Sequence, residues 1–240
     1  MKKVILCGYN LIGCEVLKIL HNKNYELYVF THNSPYFIPD LKSYCEELKI
    51  PYTTDKISIK NLPFKPDIIC SIYYRYIIDK EIIDLCKGKI FNLHPSLLPE
   101  YRGCSSITWA IINGEKYTGF TYHYINQDID KGKIILKKKI EINSFDTQGT
   151  LYSKVMIEAI DYFMEAFNFV IDGKEGKKQS KGGKYYNREV PLEGKISENW
   201  DIDKTKKFIR AFINPPYPVA TYKNKPIEDL QSYLKLKNNE

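Results

Sequence analysis

The sequence has no long hydrophobic run. Apolar stretches such as residues 4–7 and 110–112 are only a few residues long, whereas a membrane-spanning helix needs about 20 residues. The apolar stretch that follows the N-terminal residues is also too short for a signal peptide and is typical of a first β-strand. We therefore expect no membrane partner. The apolar fraction of 43% is still enough to form a sizeable core.

Cysteine is present, but never in the spacing of a metal or redox site. No C-x-x-C pair occurs, so the sequence favours neither a zinc site nor a thioredoxin-like motif, and we expect no metal. Most of the cysteines lie in apolar runs and are expected to be reduced core residues of a cytoplasmic protein. The six are Cys7, Cys14, Cys45, Cys70, Cys86 and Cys104.

The usual nucleotide-binding loops are also missing. Residues 8–13 read Gly-Tyr-Asn-Leu-Ile-Gly, which is not G-x-G-x-x-G, and no Lys-Ser/Thr pair follows them. The sequence therefore does not favour binding of NAD or ATP.

Positive charge is concentrated in the last quarter of the chain. Residues 173–240 contain 15 Lys and Arg against 9 Asp and Glu, whereas residues 1–172 contain 21 against 20. Charge alone leaves three explanations open: a solvated lysine-rich face, a site for an anionic small molecule, or a nucleic-acid surface. No nucleic-acid motif accompanies the lysines, so we expect no nucleic-acid partner.

The first half of the chain alternates strand and helix signals. Apolar, β-prone runs are followed by stretches with apolar residues at helical spacing, and glycines and prolines separate them. This order predicts an α/β fold with a Rossmann-like, mostly parallel sheet and helices on both faces. Strands are predicted at residues 3–7, 26–31, 67–72 and 89–93, and helices at 11–20, 40–49 and 81–86.

The second half is predicted to complete this domain and to add a smaller one. It contains a predicted helix at 105–113, an antiparallel pair of strands at 119–125 and 133–142, and one long amphipathic helix at 147–171. Residues 172–183, rich in Gly and Lys, are predicted to be a linker. We therefore divide the chain into a main domain, residues 1–180, and a small C-terminal subdomain, residues 181–240.

Asn92 and His94 form the most informative pattern in the sequence. They lie two residues apart at the end of a predicted strand, so their side chains face the same side. The carboxyl ends of strands line the ligand crevice in an open α/β sheet. An amide donor and an imidazole suit a reaction at a carbonyl group, where one stabilises an oxyanion and the other moves protons. A capped turn with a purely structural Asn and His is the alternative.

A carboxylate for this site comes from a second segment. Asp128 and Asp130 flank Ile129 in a predicted loop before a strand. Either carboxylate could reach an imidazole and influence its protonation.

Together these segments resemble the folate-dependent formyltransferase family. The resemblance implies the formyltransferase fold and transfer of a formyl group from N10-formyltetrahydrofolate to an amine. It also implies a catalytic triad of Asn92, His94 and Asp130. The matching residues are Asn92-x-His94-Pro95-Ser96-Leu97-Leu98-Pro99 and Asp130-x-Gly132-x-Ile134-Ile135.

The same resemblance implies where the folate donor binds. Residues 71–78 match the family segment whose backbone bonds to the pterin ring. The implied donor contacts are Tyr76, Ile77 and Ile78 on one side, and Tyr124, Ile125, Asn126, Gln127 and Asp128 on the other. Ordinary aromatic packing at a strand end is the alternative.

The C-terminal segment indicates the acceptor. Residues 208–220 resemble the I-R-A-x-x-x-P-x-P-x-A segment of sugar-nucleotide formyltransferases, and too few residues follow Gly183 for the extra domain of the tRNA enzymes. The resemblance implies a dTDP-linked 4-amino-4,6-dideoxyhexose acceptor, a role in O-antigen synthesis, and a homodimer through residues 181–240. Candidate acceptor contacts are Tyr9, Asn10, Ser96, Arg188, Tyr217 and Tyr222.

Several alternatives stay open at this point. Tyr9 and Asn10 could simply shape the first turn, Arg188 could be an ordinary surface residue, and Tyr217 and Tyr222 could be packing residues. The acceptor could be a purine precursor or methionyl-tRNA. In a different class, the chain could be a folate-binding regulatory module without catalysis.

Overall fold

The computed structural model describes residues 1–238. Within them, no helix combines the length and the apolar character that a membrane crossing requires. The strands are β1 (Lys3–Gly8), β2 (Glu26–Phe30), β3 (Tyr52–Thr53), β4 (Ile68–Ile72), β5 (Ile90–His94), β6 (Arg102–Gly103), β7 (Tyr117–Tyr124), β8 (Ile134–Glu141), β9 (Tyr185–Tyr186), β10 (Ala220–Tyr222) and β11 (Lys225–Ile227). The α-helices are α1 (Asn10–His21), α2 (Leu41–Glu47), α3 (Lys80–Leu85), α4 (Ser106–Ile112), α5 (Gln148–Asp161), α6 (Phe163–Ile171), α7 (Ile202–Ala211) and α8 (Leu230–Asn238).

Seven strands form the central sheet, in the order β3-β2-β1-β4-β5-β7-β8. The first five of these pair in parallel, and β7 runs antiparallel to β5. Every residue of β4 is buried, and so is nearly all of β1, as expected for parallel strands covered on both faces. The predicted α/β class and mostly parallel sheet are confirmed.

The turn from β1 into α1 brings two predicted site residues to the carboxyl edge of the sheet. Tyr9 is extended at the N-cap of α1, and its backbone N–H donates to the carbonyl of Ile72, at the end of the neighbouring β4, at 3.1 Å. Asn10 follows with φ at 63°, a left-handed conformation that Asn tolerates better than most residues. Tyr9 and Asn10 therefore lie at the end of the sheet where ligands bind in this class of fold.

The prediction of a single long helix at residues 147–171 is wrong. The structure has two helices, α5 and α6, separated at Tyr162, whose backbone leaves the helical region at φ −94° and ψ 1°. The apolar residues keep their helical spacing across the break, and Val155, Ala159, Phe163 and Phe167 are all buried. Because the spacing is continuous, the pattern of apolar residues cannot reveal a break at one residue.

The prediction of a simple linker over residues 172–183 is also wrong in part. Lys177 forms an antiparallel β-bridge with Ile134, the first residue of β8. A segment that looks like a flexible connection in composition therefore pairs with the edge of the sheet.

Backbone contacts divide the chain into two units. Unit 1 contains residues 1–94, 121–137 and 158–181, and unit 2 contains residues 95–120, 138–157 and 182–240. In unit 1 a core cluster packs residues of β1, β4 and β5 with Ile78 and Ile82. In unit 2 the Arg210 guanidinium of α7 donates to the carbonyls of Asn143 and Asp146, at 2.8 and 2.9 Å. A functional division between residues 1–180 and 181–240 stays a prediction.

Candidate active site

Asn92 lies between a serine and a histidine of the two neighbouring strands. It pairs with Ser71 of β4 on one side and with His123 of β7 on the other. Paired residues of adjacent strands point to the same face of a sheet, so these three side chains meet. The Ser71 hydroxyl donates to Asn92 Oδ1 at 2.9 Å, and Asn92 Nδ2 lies 3.2 Å from His123 Nε2.

The contacts of His123 determine how the Asn92 amide is oriented. His123 Nδ1 lies 2.9 Å from the backbone carbonyl oxygen of Tyr124, so Nδ1 carries the proton. In the tautomer with its proton on Nδ1, Nε2 is an acceptor, and an N–H of Asn92 donates to it. The Ser71 hydroxyl at the other end of the amide fits the same orientation, because Oδ1 accepts from it. The amide has a second N–H that can serve a ligand.

Asp130 places one carboxylate against two imidazoles. Its Oδ2 lies 3.4 Å from His94 Nδ1, and its Oδ1 lies 3.5 Å from His123 Nε2. These distances exceed those of ordinary hydrogen bonds, and the carboxylate forms an ion pair with an imidazole only when that ring is protonated. The Asp130 side chain is 11% exposed, and those of His94 and His123 are 5% and 3% exposed. Asn92, His94 and Asp130 therefore form one nearly buried polar cluster.

Loop geometry explains why Asp130 rather than Asp128 reaches the histidines. Asp130 has φ at 55°, which turns the chain sharply. At Gly132, an added Cβ would lie 1.6 Å from the carbonyl oxygen of Tyr124, so only glycine fits there. The Asp128 carboxylate is 64% exposed and lies 3.7 Å from Lys131 Nζ. Of the two carboxylates that the sequence leaves open, the structure brings Asp130 to the site.

Comparison with known families agrees with this geometry. Residues 51–167, which include Asn92, His94 and Asp130, match the family described as formyl transferase. This part of the chain belongs to the formyl transferase family. The resemblance stated from the sequence is confirmed.

The formyl transferase domain is also similar to individual curated proteins. The chain is 39% identical over 160 residues to GDP-perosamine N-formyltransferase of Brucella melitensis, which covers 67% of this chain and 62% of that protein. It is 34% identical over 233 residues to the bifunctional polymyxin resistance protein ArnA of Wigglesworthia glossinidia brevipalpis, covering 91% of this chain and 35% of that protein. The chain thus spans about three fifths of the first relative and about one third of the second.

Solved structures share the fold over most of the chain. WlaRD, a sugar 3N-formyl transferase crystallised in the presence of dTDP and 5-N-formyl-THF, has a TM-score of 0.83 and 24% identity, over 95% of this chain and 85% of that one. The N-formyltransferase of Helicobacter canadensis in complex with folinic acid and dTDP-3-aminofucose has a TM-score of 0.79 and 24% identity, over 95% and 87%.

Two predicted donor-binding segments of the formyl transferase domain contact one core cluster. Ile78 belongs to the cluster and Ile125 packs against it, although they come from separate parts of the chain. Ile77 is 67% exposed, whereas Ile78 is 6% exposed. The structure thus places Ile78 and Ile125 at the same core cluster, while Asn126, Gln127 and Asp128 lie on the surface.

An aromatic cluster centred on His32 includes the predicted acceptor residue Tyr9. Its ring stacks on that of His32 with centroids 3.9 Å apart, and the His32 ring lies 6.0 Å from Tyr76 and 6.5 Å from Tyr74. Burial raises the pKa of the Tyr74 hydroxyl well above its usual value, so it stays neutral. Its oxygen accepts the N–H of Ile57 at 3.0 Å. His32 therefore lies between Tyr9, a predicted acceptor contact, and Tyr76, a predicted donor contact.

The remaining predicted acceptor residues belong to unit 2. Ser96 is 1% exposed, and its hydroxyl donates to the carbonyl of Glu100 at 2.6 Å, which stabilises its own turn. Tyr222 is 2% exposed and packs on Tyr233 with ring centroids 5.0 Å apart, so packing is the role that the structure supports for it. Tyr217 is 45% exposed, and Arg188 lies on the surface.

Sequence reasoning missed three residues of this site. His123 and Ser71 flank Asn92 only because of the strand register, which the one-dimensional pattern does not contain. His32 follows β2 and is 6% exposed, but an isolated histidine after a strand carries no signal of its own. Within residues 1–238, no group of three or more His, Cys, Asp or Glu side chains could hold a metal ion.

Proposed function

We propose that this chain transfers the formyl group of N10-formyltetrahydrofolate to the amino group of a nucleotide-linked amino sugar. The observation that carries the proposal is the contact between Asp130 and His94, beside an Asn92 amide that Ser71 and His123 orient. An amide donor, an imidazole and a carboxylate at the carboxyl edge of the sheet are suited to acyl transfer to an amine.

Each of the three residues has a separate task in this proposal. Asn92 uses its second N–H to stabilise the negative charge that develops on the formyl oxygen. His94 accepts the proton that the attacking amine loses, and Asp130 stabilises the imidazolium that results. A bond forms between the amine nitrogen and the formyl carbon, the bond from that carbon to N10 breaks, and the proton passes to N10.

The folate donor is proposed to bind at residues 76–78 and 124–128. The exposed side chain of Ile77 offers an apolar surface for a flat ring, next to backbone groups outside the regular strands. Two structures with the same fold were determined in the presence of 5-N-formyl-THF or in complex with folinic acid, which supports a folate donor.

For the acceptor, we propose a dTDP-linked 4-amino-4,6-dideoxyhexose in O-antigen synthesis. The same two structures were determined in the presence of dTDP or in complex with dTDP-3-aminofucose. Tyr9, stacked on His32 at the carboxyl edge, offers an aromatic face to a sugar ring. The basic residues after Gly173 attract a nucleotide diphosphate, and Arg188 is our candidate for its phosphate oxygens.

A GDP-linked amino sugar is a second candidate. It is favoured by the 39% identity to the GDP-perosamine N-formyltransferase of Brucella melitensis. The two candidates require the same chemistry at Asn92, His94 and Asp130 and differ in the base that is recognised.

A panel of acceptors tests the proposal directly. The full chain is incubated with N10-formyltetrahydrofolate and with dTDP-4-amino-4,6-dideoxyglucose, dTDP-3-aminofucose or GDP-perosamine, and products are detected by mass as one added formyl group. Methionyl-tRNA and glycinamide ribonucleotide are included, and the Asp130→Ala variant is the control. We expect formylation of a sugar nucleotide, fastest with dTDP-4-amino-4,6-dideoxyglucose. Formylation of tRNA or ribonucleotide alone, or of no acceptor, would contradict it.

The assembly and the cellular location are also part of this proposal. We propose a homodimer that associates through residues 181–240, and light scattering on the purified chain will test it, a monomer being the contrary result. All six cysteines are free thiols, which is compatible with the reducing cytoplasm that we propose.

A further inference from the structure

A short segment after α6 is fastened to the part of the chain that carries Asp130. We call residues 174–179 the strap. The backbone N–H of Ile134 donates to the carbonyl of Lys177 at 2.7 Å, and the N–H of Lys177 donates to the carbonyl of Ile134, also at 2.7 Å. The Tyr124 hydroxyl donates to the carbonyl of Lys174. These bonds hold the strap along both ends of the 124–134 segment.

Gln179, at the end of the strap, binds the loop around Asp130 itself. Its side-chain Nε2 donates to the backbone carbonyl of Asp130 at 2.8 Å and to that of Gly132 at 2.8 Å. An amide nitrogen carries two N–H groups, so each carbonyl takes one. The opposite orientation of the amide would place Oε1 against two carbonyl oxygens, which repel it.

The loop needs such a support because its backbone is unfavourable. Asp130 has φ at 55°, a left-handed conformation that Asp tolerates better than most residues but that is still energetically unfavourable. Conformations of this kind persist only where the surroundings impose them. Two carbonyls held by one amide fix the turn on both sides of Lys131 and thus fix the direction of the Asp130 side chain.

We propose that Gln179 is a positioning residue for formyl transfer. It holds the Asp130 carboxylate against His94 and His123 by binding the backbone of the loop, and it does not contact substrate. This inference rests on the proposed function, because it gives Asp130 its task. It also makes the strap, and not only the residues of the catalytic motifs, a part of the active site.

Histidine NMR tests the positioning without any acceptor. The chain contains only four histidines, so their ring signals can be assigned. In Gln179→Ala and Gln179→Glu, we expect the His94 and His123 ring signals to shift as they do in Asp130→Ala. The control variant Ser180→Ala, at the exposed neighbouring position, should leave them unchanged. Unchanged His94 and His123 signals in both Gln179 variants would overturn the proposal.

Turnover of dTDP-4-amino-4,6-dideoxyglucose gives the second readout. Misplacing a reacting group by about 1 Å costs about 10²-fold in rate, so kcat should fall by about that factor in Gln179→Ala while KM for both substrates changes little. Gln179→Glu keeps the shape of the side chain but points a carboxylate at two carbonyls. The kcat of Gln179→Glu should approach that of the wild type as the pH is lowered, because a protonated carboxyl group can donate one of the two hydrogen bonds.

A double variant separates a positioning role from general damage. If Gln179 acts through Asp130, adding Gln179→Ala to Asp130→Ala lowers kcat no further. An equal fall in both backgrounds would overturn the proposal, and so would a kcat of Gln179→Ala like that of Ser180→Ala. A normal kcat in Asp130→Ala would instead overturn the proposed catalytic site. Rates are expressed per folded molecule, from circular dichroism, so a loss of fold cannot mimic these results.

Discussion

Nδ2 of Asn92 lies 3.2 Å from Nε2 of His123, and the opposite nitrogen of that imidazole lies 2.9 Å from the backbone carbonyl oxygen of Tyr124. In this arrangement His123 Nδ1 donates to the carbonyl, and Nε2 accepts from Asn92. One N–H of the Asn92 amide is therefore used in the hydrogen bond to His123. The amide is held in place by Ser71 and His123 before any substrate arrives, which reduces the reorganisation needed during the reaction.

The first prediction concerns the three proposed catalytic residues. We expect Asn92→Ala, His94→Ala and Asp130→Ala each to lower kcat by about 10²–10³-fold or more, as for loss of an oxyanion donor. Asn92→Asp should lose as much, because a carboxylate of similar shape cannot donate. Steady-state kinetics will measure this, with Asp84→Ala as the control because that carboxylate is 59% exposed and has no proposed role. Near-normal turnover in all three alanine variants would exclude the assignment.

The second prediction concerns Ser71. In Ser71→Ala the partly buried Oδ1 of Asn92 loses its donor, which costs about 1–3 kcal/mol of unfolding free energy. The amide can then rotate, so kcat should fall as well, but less than in Asn92→Ala. Urea denaturation and kinetics will measure both effects. Ser180→Ala is a suitable control, and a Ser71→Ala enzyme as stable and active as that control would argue against a held amide.

The third prediction concerns Gly132. A Cβ there would lie 1.6 Å from the Tyr124 carbonyl oxygen, so Gly132→Ala must displace the loop that carries Asp130. We expect loss of activity together with a clear fall in thermal stability. Gly173→Ala is the matched control, because a Cβ there meets nothing within 4 Å. Because Gly173 has φ at 72°, the Gly173→Ala protein should lose about 1–2 kcal/mol of stability but keep its activity. Equal effects in the two variants would contradict this account.

The fourth prediction concerns the thiols. Burial raises the pKa of Cys14, Cys45 and Cys86 to about 12 and raises the pKa of Cys7 and Cys70 well above the usual value, so these thiols stay protonated and unreactive near neutral pH. Cys104 is partly exposed. A thiol reagent should therefore label one cysteine rapidly in the folded protein and all six in denaturant. Replacement of Cys104 by Ser should abolish the rapid reaction, and two or more rapid thiols would contradict the structure.

Much of the fold could be predicted because its signals are local. The apolar period around β1 and α1, and the breaks before β4 and after α3, are written in a few neighbouring residues. The errors lie where local signals fail. The break at Tyr162 falls within a continuous apolar pattern. Residues 174–179 have the composition of a linker, yet Lys177 pairs with Ile134 of β8.

The sequence by itself determined the α/β class, and it predicted the candidate site at the carboxyl edge of the sheet, with Asn92 and His94 on the same side of one strand through a spacing of two. Only the tertiary structure decided which groups surround them. His123 stands opposite Asn92 through the register of β5 and β7, and Gln179 reaches Gly132 across 47 positions of the chain. Such contacts depend on how distant segments pack, and a spacing along one chain does not specify packing between segments.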